Sequence, residues 1–290
     1  MIGLLLLLAC PGTPDDSATT PTSPTDDCVL LDPTLGADGG YQVAWATDPD
    51  PLVAGAQGDL SFQVLGPDGT IVDDLQQSHE RMVHVIVISQ DLTSFQHVHH
   101  EDAYALTADV LRCGYYHTPL TAPFSGRYRL GFDYAHENQY LSTLDWMDVG
   151  GAPPQLDAPV VDTATERSVE GMTIDLTWDT PPVAGFEAQW HIDVTEDGED
   201  VTDVVQYLGA DAHAIVASED LAFVSHTHAW IPGMENMTPG MEMPHQYPGP
   251  YIPFHFTFPN PGWHKMWIQF AREADPEAPF LVDFWFEVDP

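Results

Sequence analysis

The chain has 290 residues, 43% of them hydrophobic, which suits about two cored domains and argues against global disorder. Seven Lys+Arg stand against 45 Asp+Glu, a formal net charge of -38. A surface so acidic repels phosphate backbones and anionic headgroups, so no nucleic-acid partner is expected.

In chain order, residues 1–10 read as an export signal. Leu4 to Leu8 form an apolar run too short to span a bilayer. Leu7-Leu8-Ala9-Cys10 resembles the lipobox of bacterial lipoproteins, although no Lys or Arg precedes the run. The resemblance implies lipidation at Cys10, a membrane partner through that anchor, and a periplasmic or cell-surface location. Residues 11–27 carry no large apolar side chain and are expected to form a disordered tether. Cys28 and Cys113 remain. Export favours a disulfide between them, with two buried thiols as the alternative.

The rest of the chain repeats itself, which is the decisive observation. HVIVISQDLTSFQHVH (His84 to His99) overlays HAIVASEDLAFVSHTH (His213 to His228) at a constant offset of 129, with eight of sixteen positions identical. Pro51 to Gly55 matches Pro181 to Gly185. Gly126 to Leu130 matches Gly262 to Met266. Short segments such as LSFQV, TIVDDL, HVIVIS, YRLGFDY, WHIDV and FWFEV are rich in β-branched and aromatic residues, and Pro, Gly and Asp turns separate them. The expected fold is all-β: two tandem immunoglobulin-like β-sandwich domains over residues 28–150 and 169–290, joined by a linker over 151–168.

Within the repeat, a tight turn at Gln90-Asp91 would set His84 opposite His97, with His99 on the same face. The second copy would gather His213, His226 and His228 likewise. Three imidazoles on one face suit a single metal ion. A structural polar cluster on an interaction domain is the alternative reading. The motif resembles that of a family of secreted bacterial proteins, H-L-I-V-V-S-x-D-L-x-x-F-x-H-x-H-P, followed by a Phe-Pro-x-Pro-Gly strand. Its counterparts here are HVIVISQDLTSFQHVHHE, HAIVASEDLAFVSHTHAW and FTFPNPGWHKMWIQF. That resemblance implies a link to copper or heavy-metal handling.

Between its last shared His and the next shared Gly, the second copy is longer than the first. The extra length holds Met234, Met237, Met241 and Met243, followed by His245 and, further on, His255. Thioethers favour Cu(I), whereas imidazole accepts copper or zinc. The loop is expected to cover the open side of the second triad and give that copy a preference for reduced copper. No G-x-S-x-G, Walker A or G-x-G-x-x-G motif is present. His79-Glu80 and His84 stand one residue too far apart for H-E-x-x-H. The expected role is therefore non-enzymatic: binding or buffering Cu(I)/Cu(II), with zinc possible, and handing the ion to a transfer partner.

Overall fold

A computed structural model describes residues 28–31, 33–36, 40–152, 160–234 and 237–290. The signal with Cys10, the tether over 11–27 and residues 153–159 of the linker lie outside the described residues. The first domain contains strands Pro33–Gly36 (β1), Gln42–Asp48 (β2), Leu52–Val53 (β3), Gln57–Leu65 (β4) and Val83–Ser89 (β5). Phe95–Val98 (β6), Tyr116–Thr121 (β7), Gly126–His136 (β8) and Gln139–Gly150 (β9) complete it. The second contains Glu166–Val169 (β10), Met172–Thr180 (β11), Glu187–Glu196 (β12), Glu199–Asp200 (β13) and Val204–Val205 (β14). His213–Ser218 (β15), Val224–His228 (β16), Tyr251–Thr257 (β17), Gly262–Arg272 (β18) and Asp275–Val288 (β19) follow. β10 begins inside the stretch read from sequence as linker.

Each domain is a two-sheet sandwich. In the first, β1-β2-β4-β7 packs on β3-β9-β8-β5-β6. In the second, β10-β11-β12-β13, with β17 on β12, packs on β14-β18-β15-β16, with β19 on β18. The fold class read from sequence is the one observed. TIVDDL is a correction. It makes only an isolated bridge at Ile71, because its buried residues, Val72 and Leu75, are three apart and do not follow the two-residue period of a strand. One short helix, Ala108–Cys113, is capped by Thr107 and ends in a disulfide between Cys113 and Cys28.

The strands β5 and β15 explain how the domains meet. Every residue of both is buried. Val83, Val85 and Val87 fill the core of the first domain, and Ala214 and Val216 that of the second. The alternate residues Ile86, Ile88, Ile215 and Ala217 join Leu92, Leu221, Val224, Trp267 and Trp285 in a third apolar cluster shared by both domains. Burying a large side chain of this kind is worth about 1.5–3 kcal/mol, so this contact is a fixed interface. Ile86 and Ile215, like Leu92 and Leu221, are corresponding residues of the repeat. The two copies therefore present the same patch to each other, as subunits do across a two-fold axis. Phe95 stacks on Trp267 at 5.1 Å, and Lys265 Nζ donates to the Leu92 carbonyl at 2.8 Å.

Candidate metal centre

The turn between β5 and β6 differs from expectation, and the difference is instructive. Ile86, not His84, pairs with His97, and Ile88 pairs with Phe95. The loop spans four residues, 90–93, rather than two. Asp91 Oδ1 accepts from Ser89 Oγ at 2.6 Å, Thr93 Oγ1 at 2.8 Å and Thr93 N at 3.2 Å. Leu92 takes a left-handed φ of 58°, uncommon for a residue with a branched side chain, and its burial in the shared cluster offsets that cost. Ser218, Asp220 and Leu221 (φ 55°) repeat the turn. Because the loop is longer by two residues, facing and parity survive, and the histidines still share one face. In the second copy His213 pairs directly with His228, and Ile215 with His226.

The first triad is closed. His84 Nδ1 lies 3.0 Å from His97 Nε2, and His99 Nε2 lies 3.0 and 3.1 Å from the same two atoms. The three outer nitrogens have acceptors. His84 Nε2–H donates to the Ser78 carbonyl at 2.9 Å, His97 Nδ1–H to Gln269 Oε1 at 2.9 Å, and His99 Nδ1–H to Asp102 Oδ2 at 2.8 Å. In a neutral imidazole a protonated outer nitrogen leaves the inner one bare. With the outer nitrogens as the donors to these oxygens, three lone pairs converge on one point. Metal–nitrogen bonds of about 2.0–2.1 Å in a tetrahedral site place ligands roughly 3.3 Å apart, close to the spacing seen. A carboxylate or carbonyl behind each imidazole is the support that metal-bound histidines use. Asp102 also receives the His99 backbone N–H at 3.0 Å and the Arg81 guanidinium at 3.1 Å.

The second triad has the same ring arrangement and a different setting. Centroid separations are 5.2, 4.8 and 4.5 Å in both sets, taken in the same order. His213 Nδ1 lies 2.9 Å from His226 Nε2, and His213 Nε2–H donates to the Tyr207 carbonyl at 2.7 Å. Tyr207 corresponds to Ser78. Behind His228, however, Ile231 stands where the first copy has Asp102, and His228 Nε2 is buried without a partner. One nitrogen from each of the three rings lies within 4.8 Å of the others, as in the first triad.

Burial favours the neutral, metal-competent imidazole. It lowers the pKa of His213 to about 3 and holds those of His84, His97, His226 and His228 well below 6.5, with neighbouring histidines adding to the shift. Desolvation also raises the Asp133 carboxyl to about 6.

A cavity of 460 Å³ adjoins both triads, reaching His226 and His228 of the second and His84 of the first. Met234, Met237 and Met243 line it together with His226, His228 and His255. Met241 is 51% exposed and is not among the lining residues. His245 is held elsewhere, its Nδ1 lying 2.6 Å from the buried Asp211 carboxylate. His255 stacks on Trp230 at 5.0 Å. Glu101, two residues after His99, accepts from Met82 N at 2.8 Å.

Sequence reasoning missed His79, which stacks on His228 at 3.6 Å, and also Asp102, Gln269 and Asp133. The last two were findable. Each is a polar residue at the same repeat position, paired across from His213 and His84 respectively.

The chain matches a domain of unknown function, DUF8832, over residues 35–150 and again over 167–289. It belongs to the DUF8832 family. The two matched segments correspond to the two sandwiches. No match is found among the curated proteins. Solved structures similar to this DUF8832 chain include α-2-macroglobulin from E. coli, at 13% identity and a TM-score of 0.27, covering 90% of this chain and 15% of that one. Red sea bream transglutaminase is similar at 8% identity and a TM-score of 0.24, covering 86% of this chain and 31% of that one. The chain thus spans only a minor part of either protein's length.

Proposed function

We propose that this DUF8832 protein is a membrane-tethered, extracytoplasmic copper-binding protein that buffers the ion and passes it to a partner. One observation carries the metal-binding part. In the first triad three ring nitrogens converge at 3.0–3.1 Å while each outer nitrogen lies within hydrogen-bond distance of a protein oxygen. Without a cation, three buried lone pairs face one another unsatisfied, which costs free energy. Copper rather than zinc is supported by the thioethers of Met234, Met237 and Met243 in the cavity beside the second triad, since soft sulfur favours Cu(I). Tethering rests on the lipobox-like Leu7 to Cys10 and the polar stretch after it.

The test is elemental analysis of the full chain, exported and purified without a metal-affinity tag. Up to two equivalents of copper are expected, and they should vanish when His84, His97, His99, His213, His226 and His228 all become Ala. Copper retained by that variant, or zinc alone in the wild type, defeats the copper reading. For the tether, Cys10→Ser should move the protein to the soluble fraction. A wild-type chain already soluble and unacylated by mass spectrometry rules the anchor out.

A further inference from the structure

The sequence places one triad in each domain and suggests two separate sites. The fold brings them into contact. The rings of His97 and His226, from opposite domains, have centroids 4.9 Å apart. Those of His84 and His226 are 5.1 Å apart, and those of His97 and His213 are 6.0 Å apart. The first two separations fall within the 4.5–5.2 Å range found inside each triad. We propose that the six histidines form one two-metal centre built across the domain interface, holding two copper ions close enough to interact. The proposal rests on the metal-binding reading and deepens it.

Its second support is a crossed arrangement of the residues behind the ligands. Gln269 belongs to β18 of the second domain, yet its Oε1 accepts from His97 of the first. Asp133 belongs to β8 of the first domain, yet its carboxylate lies 3.9 Å from His226 Nδ1 of the second. These two residues occupy the same position in the repeat. Gln269 pairs across from His213, and Asp133 from His84. The second domain therefore orients the middle histidine of the first through a hydrogen bond, and the first domain sets a carboxylate beside the middle histidine of the second. His79 of the first domain, lying face to face on His228 of the second, adds a third crossing. The apolar cluster of Ile86, Ile215, Trp267 and their neighbours fixes the domains beside this centre, so the proximity of the triads is built into the fold.

Two cations in one buried cluster repel in proportion to the product of their charges. Two Cu(I) ions are thus held together more readily than two Cu(II). The carboxylate of Asp133, at the junction of the triads, offsets part of the repulsion in either case.

The experiment uses the metal-free full chain titrated with Cu(II) chloride and followed by electron paramagnetic resonance. The first equivalent should give the full signal of an isolated ion. The second should broaden it through dipolar coupling and produce a half-field transition. Two bound equivalents with an undisturbed spectrum of doubled intensity overturn the two-metal centre and leave metal binding standing. Saturation at a single equivalent overturns it as well, and failure to bind copper at all removes the metal reading with it. A second measurement needs no paramagnetic pair. In a chain whose second triad is silenced by His213→Ala, His226→Ala and His228→Ala, Gln269→Leu should weaken copper binding at the first triad about 10–100-fold, the usual effect of losing a residue that orients a ligand. Unchanged affinity there shows that the crossing contact is incidental and counts against a shared centre.

Discussion

In the first triad every outer nitrogen donates to a protein acceptor, and a carboxylate stands behind His99. In the second, Tyr207 supports His213, Asp133 stands 3.9 Å from His226, and Ile231 occupies the place of the carboxylate. Ring positions agree between the copies while the surroundings diverge. Duplication fixed the ligand geometry through the β5–β6 and β15–β16 turns. What separates the copies is the chain that follows the last histidine. In the first copy it becomes a short 3-10 turn carrying Asp102, and in the second it runs on to the Met-lined cavity. A triad with full support suits retention, and one with two histidines on a cavity lined by soft donors suits exchange.

The largest effect is expected from acid on the metal-free chain, because it acts on both triads at once. His213 titrates at about 3 in the folded state and His79 at about 4, while burial holds His84, His97, His226 and His228 well below 6.5. In the unfolded chain each returns to about 6.5. Below that pH the unfolded state binds more protons than the folded one. The stability contributed by neutral histidines is therefore whole above about pH 6.5 and falls as pH drops toward 3–4. The Tm of the metal-free protein should decline between pH 7.5 and 5. Copper-loaded protein should decline less, since a ligand that binds only the folded state opposes unfolding. A metal-free Tm flat across that range means the histidines are not held neutral, and the comparison of two metal-ready triads collapses.

A smaller effect separates the copies. Asp102→Asn keeps an oxygen for His99 Nδ1–H but removes the charge that raises the basicity of Nε2. Metal affinity at the first triad should fall about 10–100-fold, measured by Zn(II) competition with a chelator in chains retaining only that triad. The second triad has no equivalent carboxylate and should keep its affinity when Asp102→Asn is made in a chain retaining only His213, His226 and His228. Equal losses at the two triads mean that Asp102 acts through the fold rather than through His99.

Much of this was legible in the sequence, for definite reasons. The repeat, the all-β character and the six histidines show because strand periodicity and a fixed offset survive divergence. The register of the β5–β6 hairpin was misread because Gln90-Asp91 looks like a two-residue turn, whereas the Asp91 side chain organises a loop of four residues. The error was harmless only because it was even. The meeting of the triads was not legible, since it depends on Ile86, Ile88 and their counterparts burying both faces of β5 and β15. An apolar strand alone does not say whether its second face meets another domain. Asp102 lay in plain view three residues after His99, but its role needs the turn at His100–Asp102 to bring it back to the ring.

The smallest effect tests what the open side of the second triad is for. Met234, Met237 and Met243 line the cavity, and Met241 points elsewhere with half its surface exposed. Leu conserves apolar bulk and removes sulfur, so the triple change Met234→Leu, Met237→Leu and Met243→Leu should leave folding and Zn(II) affinity intact. Cu(I) affinity should drop by about tenfold, equivalent to about 1.4 kcal/mol. Imidazoles remain to hold the ion, so a total loss is not expected. Met241→Leu serves as the internal control and should change nothing. Cu(I) competition at pH 7, in chains that keep the second triad, reads both. If the triple variant holds Cu(I) as tightly as wild type, the cavity methionines only cover the histidines, and the difference between the copies is one of packing. If Met241→Leu alone weakens Cu(I), the loop closes over the ion in an arrangement other than the one seen, and the copies differ in mobility as well as in donors.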